Sequence, residues 1–374
     1  MTRERDKPYD VVVVGGGAAG IGVGVAIKHA GIQDFAILER YKVGASFESW
    51  PAETRFITPS FPTNSIGMLD LNAVAIGCSP AHHLRVEHPT GREFAMHLRT
   101  IARFFELPIR EGVEVLRVAR SGDVFSLETA GETLHAKHLV WAAGEFQFPR
   151  LHCFPGSELC RHTATIASYE ELEGDDFIIV GGYESGIDAA YHLARLGKRV
   201  RIFDEGCPWG VKSSDPSLAL STYSLERMST GSFVERVQLF PNAPIASVSR
   251  SDGNYRVEAL VGASFETSVP PLLAGGFEGS HKLVAHLFER RDDGYPLLNE
   301  RDESTILSGM FLCGPAVRHD KHVFCFIYKF RQRFAVVAKA IATSLGLPAH
   351  ALQEYRKWGM YLNDLSNCGE ECIC

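Results

Sequence analysis

Three glycines near the start of this sequence have the spacing of a nucleotide-binding turn. Gly15, Gly17 and Gly20 follow a run of four valines in the pattern G-x-G-x-x-G. The first glycine allows a tight turn, the second lets the backbone approach a diphosphate, and the third lets a helix pack close to a strand. Amides at the start of that helix attract phosphate. The spacing therefore predicts a dinucleotide site, with Ala18 and Ala19 among its contacts.

A second turn of this kind lies in the middle of the chain, with one departure. Gly181, Gly182 and Gly186 follow the apolar run FIIV, but Tyr183 stands where the middle glycine is expected. A side chain there crowds the closest approach of a diphosphate. The nucleotide could sit slightly displaced, the ring could stack over it, or the site could have lost its nucleotide. The predicted contacts at this turn are Gly181, Gly182, Tyr183, Glu184, Ser185 and Asp204.

Three cysteines in the last eight residues form a further candidate catalytic cluster. Cys368, Cys372 and Cys374 have the spacing C-x3-C-x-C, and a terminal segment rarely joins a core. Three thiolates nearly complete a tetrahedral site for a soft ion such as Zn²⁺ or Cu⁺. A redox role of the thiols is a second interpretation, and a tail with incidental cysteines is a third.

The elements around the first turn follow from hydrophobic patterning. Tyr9–Val14 reads as a buried parallel strand, Ala18–Ala30 as a helix that ends at a glycine, and Phe35–Leu38 as the next strand. Glu39 stands at the end of that strand, 19 residues past the last glycine of the turn. A carboxylate there can accept hydrogen bonds from the adenosine ribose hydroxyls. Glu39 and its neighbour Arg40 are therefore predicted cofactor contacts.

The second turn has the same sequence of elements. Asp176–Val180 is a predicted strand, Ile187–Leu196 a helix and Arg199–Phe203 the following strand, with Asp204 at its end. An acid at this position favours a free ribose hydroxyl over a 2′-phosphate, and so favours NADH over NADPH. Arg199 and Arg201, in the strand that precedes Asp204, weaken this preference for NADH.

The rest of the chain supplies further strands and two long helices. Arg331 and Arg333 fall in the last helix, where an exposed basic face is one interpretation. The predicted elements are strands Val113–Val118, Val124–Thr129, His138–Ala143 and Thr305–Cys313, and helices Glu93–Phe105 and His322–Leu345.

Composition limits the classes of partner. A length of 374 residues favours two domains, and a net charge of −7 argues against nucleic acid as a partner. No stretch approaches 18 apolar residues, so no membrane span is expected. The N-terminus lacks an apolar signal core, and the nine cysteines are expected to be reduced thiols. We therefore expect a cytoplasmic protein with a small-molecule or thiol/disulfide substrate.

Strand ends rich in small residues connect these elements to a known superfamily. The segments WAAGE (Trp141–Glu145), LLAGGF (Leu272–Phe277) and MFLCGP (Met310–Pro315), with the two turns, resemble the two-dinucleotide-binding-domain flavoproteins. Arg55–Asn72 and Phe324–Phe334 look closest to bacillithiol-disulfide reductase and flavin-containing monooxygenase-like members. The resemblance implies an α/β fold of two Rossmann-like three-layer (ββα) dinucleotide-binding domains, with the second inserted in the first.

The likeness also implies which domain holds which cofactor. Residues 1–154 and 281–374 would form the FAD-binding domain, and residues 155–280 would bind the donor, NADH or NADPH. In the family the late strand usually ends in Gly-Asp at the flavin's ribityl chain, whereas this chain has Gly314-Pro315. A helix from about Lys321 would direct its amides at the flavin. Further implied cofactor contacts are Trp50, Ala143, Gly144, Gly314, Pro315 and Lys321.

The chemistry that the resemblance implies depends on cysteines. Disulfide reductases of this superfamily carry C-x-x-C in the nicotinamide domain or C-x4-C near the flavin, and this chain has neither. Likeness to mercuric reductases and large thioredoxin reductases implies that Cys368, Cys372 and Cys374 relay electrons from the flavin. The first hypothesis is an FAD-dependent oxidoreductase that takes hydride from NAD(P)H and reduces a disulfide or thiol-derived substrate.

Two further functions stay open. Phe154-Pro155-Gly156 with His162 and Tyr169 resembles the F-x-G-x3-H motif of flavin monooxygenases, with two extra residues before the histidine. That likeness implies oxygenation of a small nucleophile. The third hypothesis is a flavin- or metal-binding sensor with little turnover, in which Tyr183 has closed the second site. The family also implies a homodimer as one open oligomeric state.

Overall fold

The computed structural model describes residues 7–62, 69–213, 215 and 217–365. Their main elements form two large sheets of mainly parallel strands and two smaller antiparallel sheets. The strands are β1 Tyr9–Val14, β2 Phe35–Glu39, β3 Ile109–Glu111, β4 Val115–Ser121, β5 Val124–Thr129, β6 Thr133–Trp141, β7 Arg161–His162, β8 Asp176–Val180, β9 Arg199–Phe203, β10 Val237–Phe240, β11 Ile245–Ser251, β12 Asn254–Ala259, β13 Ser264–Thr267, β14 Leu272–Leu273, β15 Met310–Leu312, β16 Arg318–His319 and β17 His322–Val323. The α-helices are α1 Ala18–His29, α2 Ala45–Glu48, α3 Pro80–Leu84, α4 Gly91–Phe104, α5 Glu184–Arg195, α6 Thr222–Met228, α7 Gly231–Arg236, α8 Ile327–Phe330, α9 Phe334–Ser344 and α10 Glu354–Lys357.

The first large sheet has seven strands. Their order is β3-β2-β1-β6-β5-β4, and β15 pairs with β6 in parallel. The valines of β1 are buried because helices and loops cover both faces of the sheet, as a continuous apolar run predicts. Helix α1 lies so close to α9 that a Cβ atom on Gly22 would be 2.0 Å from the Phe334 ring. One core therefore joins the N-terminal part of the chain to its C-terminal helices.

The second large sheet has five parallel strands in the order β10-β9-β8-β14-β7. Helix α5 packs on one face through Ile187 and Leu193, and the antiparallel sheet β11-β12-β13 covers the other face through Val257. All its strands lie in the chain between β6 and β15 of the first sheet. The predicted α/β class is confirmed, and so is the insertion of the second ββα unit into the chain of the first ββα unit. The exact domain limits at residues 154 and 280 stay a prediction.

The long helix predicted for His322–Leu345 is wrong at its start. The hairpin of β16 and β17 occupies this region, with Asp320 in its turn at φ +47, and α-helix begins only at Ile327. Lys321 therefore lies in the hairpin turn and not at a helix N-terminus. The strand predicted for Thr305–Cys313 is likewise shorter and contains only β15.

Arg331 and Arg333 are buried, so their interpretation as an exposed basic face is wrong. Arg333 is fully buried and donates two hydrogen bonds to the equally buried Asp302, with Nε 2.9 Å from Oδ2 and Nη2 2.8 Å from Oδ1. Arg331 donates through Nη1 to the carbonyl oxygen of Ala73 at 3.0 Å. These bonds tie the start of the last helical segment to distant parts of the first core.

Candidate functional site

A cavity of about 410 Å³ opens where the strands of the first sheet end. The residues around it come from the first glycine turn, from the ends of β2 and β6, and from the N-terminal end of α5. Of the predicted cofactor contacts, those that line it are Gly15, Gly17, Ala18, Ala19, Glu39, Arg40, Trp50, Ala143, Gly144, Glu184, Ser185 and Pro315. Those that do not line it are Gly20, Gly181, Gly182, Tyr183, Asp204, Gly314 and Lys321.

The backbone of the first turn requires its glycines. Gly15 has φ +111, and a Cβ atom on it would lie 2.5 Å from the carbonyl oxygen of Ala142. A Cβ atom on Gly20 would lie 1.8 Å from the carbonyl oxygen of Gly15, so α1 can approach β1 only at a glycine. A Cβ atom on Gly17, in contrast, meets nothing within 4 Å. The turn is therefore closely packed behind and open toward the cavity.

Charged side chains stand at the rim of this cavity beside the turn. The Glu39 carboxylate accepts hydrogen bonds from the Gly16 amide at 2.7 Å and the Tyr41 amide at 2.8 Å. Arg40 pairs with Glu114 at 3.1 Å. Glu39 is therefore fixed at the end of β2, where its oxygens face the space in front of the turn.

An aromatic cluster forms one wall of the cavity. The Trp50 ring lies 5.0 Å from the Phe56 ring and 6.2 Å from the Phe146 ring, measured between centroids. Phe146 in turn lies 5.2 Å from Phe277, which lies where the chain returns from the second sheet to the first core. Trp50 thus belongs to this cluster and lines the cavity at the same time.

Gly314 and the second turn show the same close packing away from the cavity. A Cβ atom on Gly314 would lie 3.1 Å from the Cβ of Ala19, so the end of β15 packs against the first turn. At the second turn a Cβ atom on Gly186 would lie 1.9 Å from the Gly181 carbonyl oxygen. The Asp204 carboxylate accepts a hydrogen bond from the Gly182 amide at 2.6 Å, as Glu39 does from Gly16. The two turns therefore have the same build.

Two aromatic side chains cover the second turn. The Tyr183 hydroxyl donates a hydrogen bond to the carbonyl oxygen of Ala219 at 2.8 Å, and burial raises the pKa of this phenol. The Trp209 ring lies directly on Gly182, since a Cβ atom there would be 2.2 Å from the ring. The Tyr183 ring is therefore held by Ala219, and its crowding of a diphosphate stays a prediction, whereas Trp209 is an obstruction of the turn that the sequence did not reveal.

The segment around Ala219, which accepts the Tyr183 hydrogen bond, also makes contacts on both sides of the cavity. Glu184 accepts hydrogen bonds from the Ser221 amide at 2.6 Å and the Ser224 hydroxyl at 2.5 Å, and burial raises its pKa. On the other side, the Lys329 ammonium lies 2.7 Å from the Asp215 carboxylate. Asp215 and residues 217–224 therefore connect α5 of the second sheet with α8 of the first core.

Two cavity residues were missed by sequence reasoning. Cys325 lines the cavity, its sulfur 3.1 Å from the Ser217 hydroxyl, and burial raises the pKa of its thiol. Asp188 lines the opposite side, where its carboxylate accepts a hydrogen bond from Thr54 at 2.6 Å and pairs with Arg227 at 2.7 Å. Burial opposes its ionisation, but hydrogen bonding and the Arg227 charge hold the pKa of Asp188 below its usual value. The run FCFIYKFRQRF, which resembles members of the flavoprotein superfamily, was the one sequence signal that included Cys325. No sequence signal pointed to Asp188.

The residues of the monooxygenase-like motif are held by the scaffold. His162 is buried, accepts a hydrogen bond from the Ala164 amide at 3.1 Å and lies 3.1 Å from the Gly276 carbonyl oxygen. Gly156 has φ +81, and a Cβ atom on it would lie 1.8 Å from the Val248 carbonyl oxygen. Tyr169 lines the cavity and stacks on His192. The partners of the His162 ring are therefore backbone groups of the surrounding scaffold.

The tail cysteines Cys368, Cys372 and Cys374 lie outside the described residues. The six cysteines within the described ranges are free thiols. No group of three or more metal-ligating side chains occurs in the part of the chain that the structure describes. The same part contains no helix that is long and apolar enough to span a membrane.

The sequence matches a known family over most of its length. The model of the pyridine nucleotide-disulphide oxidoreductase family matches residues 12–314. The chain is 28% identical over 192 residues to the uncharacterized oxidoreductase CzcO of Bacillus velezensis, covering 50% of this chain and 52% of the relative. The match thus spans about half the length of that curated relative.

Solved structures resemble the chain over most of its length. The bacillithiol disulfide reductase Bdr (YpdA) from Staphylococcus aureus has a TM-score of 0.73 at 20% identity, covering 90% of this chain and 99% of that one. The flavin-containing monooxygenase from Stenotrophomonas maltophilia has a TM-score of 0.72 at 14% identity, and the likeness covers 91% of this chain and 99% of that one. At these identities the likeness shows the fold, and it agrees with the predicted superfamily.

The Asp188–Arg227 pair gives a first testable prediction. Replacing Arg227 by methionine leaves a carboxylate that is only 6% exposed without its cation. We expect the free energy of unfolding to fall by about 3–5 kcal/mol, as for other broken buried pairs. Urea denaturation measures this loss. The matched control combines Arg227→Met with Asp188→Asn and should recover part of the stability, because no charge is then left unpaired. Equal losses in both variants would contradict the account.

Proposed function

The chain belongs to the pyridine nucleotide-disulphide oxidoreductase family, and from that premise we propose that it is an FAD-dependent oxidoreductase that takes hydride from NAD(P)H and reduces a disulfide or another thiol-derived substrate. One observation carries the proposal: a complete dinucleotide turn opens onto a cavity beside a second turn of the same build. The S. aureus relative, which is named a disulfide reductase, supports the substrate class.

The residues at the first turn fit FAD. The open side of Gly17 leaves room for a diphosphate, and the amides of Ala18 and Ala19 at the start of α1 would bind it. Glu39 would accept hydrogen bonds from the ribose hydroxyls, and Trp50 would contribute an aromatic wall for the ring system. When bound, FAD supplies the capacity to take up two electrons and pass them on.

The second turn fits a nicotinamide nucleotide less closely. Asp204 occupies the ribose-binding position, which supports NADH. The two arginines that weakened this preference, Arg199 and Arg201, pair with Asp176 at the start of β8, at 3.9 Å and 3.0 Å. Tyr183 and Trp209 stand over the turn, so the donor must displace or stack on them. This crowding also supports the alternative of a sensor with little turnover.

We predict that Tyr183→Gly tightens binding of NADH. The substitution restores the middle glycine of the turn and removes the ring that is bonded to Ala219. Titration of the FAD-loaded protein with NADH under argon should give a lower dissociation constant than in the wild type. Tyr183→Phe is the matched control, since it removes only the hydrogen bond and keeps the ring. An unchanged affinity in Tyr183→Gly would contradict the crowding argument.

The electron acceptor is proposed to be the cysteine tail. Cys325 is the cysteine in the described ranges that lines the cavity, and its raised pKa makes it a poor nucleophile without a partner thiol. The last described residues pack on the first core, and the Leu362 amide donates to the Gln332 carbonyl oxygen at 3.0 Å. The described part of the chain therefore ends beside the helical segment that follows Cys325. Cys368, Cys372 and Cys374 would pass electrons from the flavin to the substrate.

The relay predicts a loss of activity when the tail thiols are removed. A variant with serine at Cys368, Cys372 and Cys374 should lose most disulfide reduction and still accept electrons from NADH, because only the second transfer needs the thiols. Thiol release, two per NAD(P)H in the wild type, is the measurement. The control is Cys153→Ser, which removes an exposed cysteine outside the cavity lining. Undiminished thiol release in the triple variant would contradict the relay.

A flavin monooxygenase is the second candidate function. The cavity lining contains a single described cysteine and no pair, and the fold resembles a flavin-containing monooxygenase as closely as it resembles a reductase. In the same assay this function predicts one O₂ consumed per NAD(P)H and no thiol release.

A further inference from the structure

One carboxylic side chain of the cavity differs from the rest in its surroundings. Among the described residues, five such side chains line the cavity: Glu39, Glu114, Glu145, Glu184 and Asp188. Four of them hold hydrogen bonds or ion pairs with other groups of the protein. The carboxyl of Glu145 has no hydrogen bond and no ion pair with any residue in the described ranges. It is thus the acid of this cavity that is left to interact with a bound molecule.

The backbone around Glu145 is held firmly. Glu145 follows β6 directly after Gly144, which has φ +68. The Gln147 side chain donates to the Ala143 carbonyl oxygen at 2.6 Å, and the Ser280 amide donates to the Gly144 carbonyl oxygen at 2.9 Å. The Glu145 carbonyl oxygen itself accepts from the Phe148 amide at 2.8 Å. The side chain therefore projects from a fixed turn at the end of the central strands.

The environment of the Glu145 carboxyl favours its neutral form. Its neighbour Phe146 joins Trp50 and Phe277 in the aromatic wall. Burial raises the pKa of Glu145, and the charge of Arg318 on the β16 hairpin opposes this in part. Of the other titratable groups of the cavity on α5 and beside α8, Glu184 and Cys325 also have a raised pKa, whereas the pKa of Asp188 is lowered by its hydrogen bonds and by Arg227. A carboxyl with a raised pKa keeps its proton to a higher pH than an exposed glutamate does and can give it to a strong base.

We propose that Glu145 is the catalytic acid of this cavity and gives its proton to the sulfur that leaves when a disulfide is reduced there. The inference rests on the proposed function. A departing thiolate is a strong base, and its expulsion is easier when it is protonated as the bond breaks. An uncommitted carboxyl on a firmly held backbone at the cavity wall meets this need, whereas the other four acids are occupied by protein partners.

The proton transfer conserves atoms and electrons. The S–S bond breaks, and its two sulfurs gain the electron pair that NAD(P)H supplies. One sulfur takes its proton from Glu145 and the other takes a proton from solvent. The Glu145 carboxylate then regains a proton from solvent, and the hydrogen of the hydride is released to solvent as a proton once its electron pair has been passed on. One net proton is therefore consumed, and the sum is RSSR + NAD(P)H + H⁺ → 2 RSH + NAD(P)⁺.

The test compares Glu145→Gln, Glu145→Asp and the exposed-site control Glu171→Gln in FAD-loaded protein. In the wild type kcat/KM for disulfide reduction should fall as pH rises through the pKa of Glu145, because the protonated form is the active one. Glu145→Gln should lower kcat/KM about 10²-fold at low pH and abolish this pH dependence. Glu145→Asp should keep part of the activity and shift the profile, and Glu171→Gln should match the wild type.

A second readout does not depend on turnover. The infrared spectrum of the oxidised FAD-loaded protein, recorded as the pH is raised, should keep a protonated-carboxyl band above the pH at which exposed glutamates ionise, and this band should be missing in Glu145→Gln and present in Glu171→Gln. A Glu145 that ionises at the same pH as an exposed glutamate, or a pH profile unchanged in Glu145→Gln, would overturn this proposal while the reductase function stands. Absence of disulfide reduction by the wild type would instead contradict the proposed function, and the role of Glu145 with it.

Discussion

The close approach of a helix to a strand at a glycine is the constraint on which this molecule depends. At both turns a Cβ atom on the last glycine would lie within 2 Å of a carbonyl oxygen, 1.8 Å at Gly20 and 1.9 Å at Gly186. This approach brings the N-terminal end of each helix to the ends of the parallel strands, where open α/β sheets bind their ligands. The cavity, its acidic rim and its aromatic wall are all arranged around that point at the first turn.

The two turns share a backbone but differ in what stands before them. The first faces open space at Gly17, while Tyr183 and Trp209 cover the second. Asp215 and residues 217–224 contact Tyr183 and Glu184 on one side and Lys329 on the other, so the surroundings of the second turn are joined to the wall of the first cavity. A molecule that enters the second turn therefore acts on contacts that reach the first core.

Local sequence patterns predicted the turns and most strands, because glycine spacing and β-branched runs act over a few residues, whereas the inserted topology was implied by the resemblance to a flavoprotein superfamily. The start of the last helix was predicted wrongly, since helical periodicity does not show the hairpin turn at Asp320. Arg333 could not be recognised as buried, because its partner Asp302 lies 31 residues away and is brought to it only by tertiary packing. Asp188 and Trp209 gained their surroundings in the same way, from long-range contacts without a motif, and Glu145 belongs to the family-like segment WAAGE, which assigned no role to its side chain.

The visible spectrum of the purified protein, recorded before and after addition of NADH or NADPH under argon, tests whether this chain holds a flavin that a nicotinamide nucleotide reduces. We predict a flavin spectrum that bleaches when nucleotide is added, and that bleaches faster with NADH than with NADPH. A protein that shows no flavin absorption after incubation with FAD, or a bound flavin that dithionite reduces and neither nucleotide does, would contradict it.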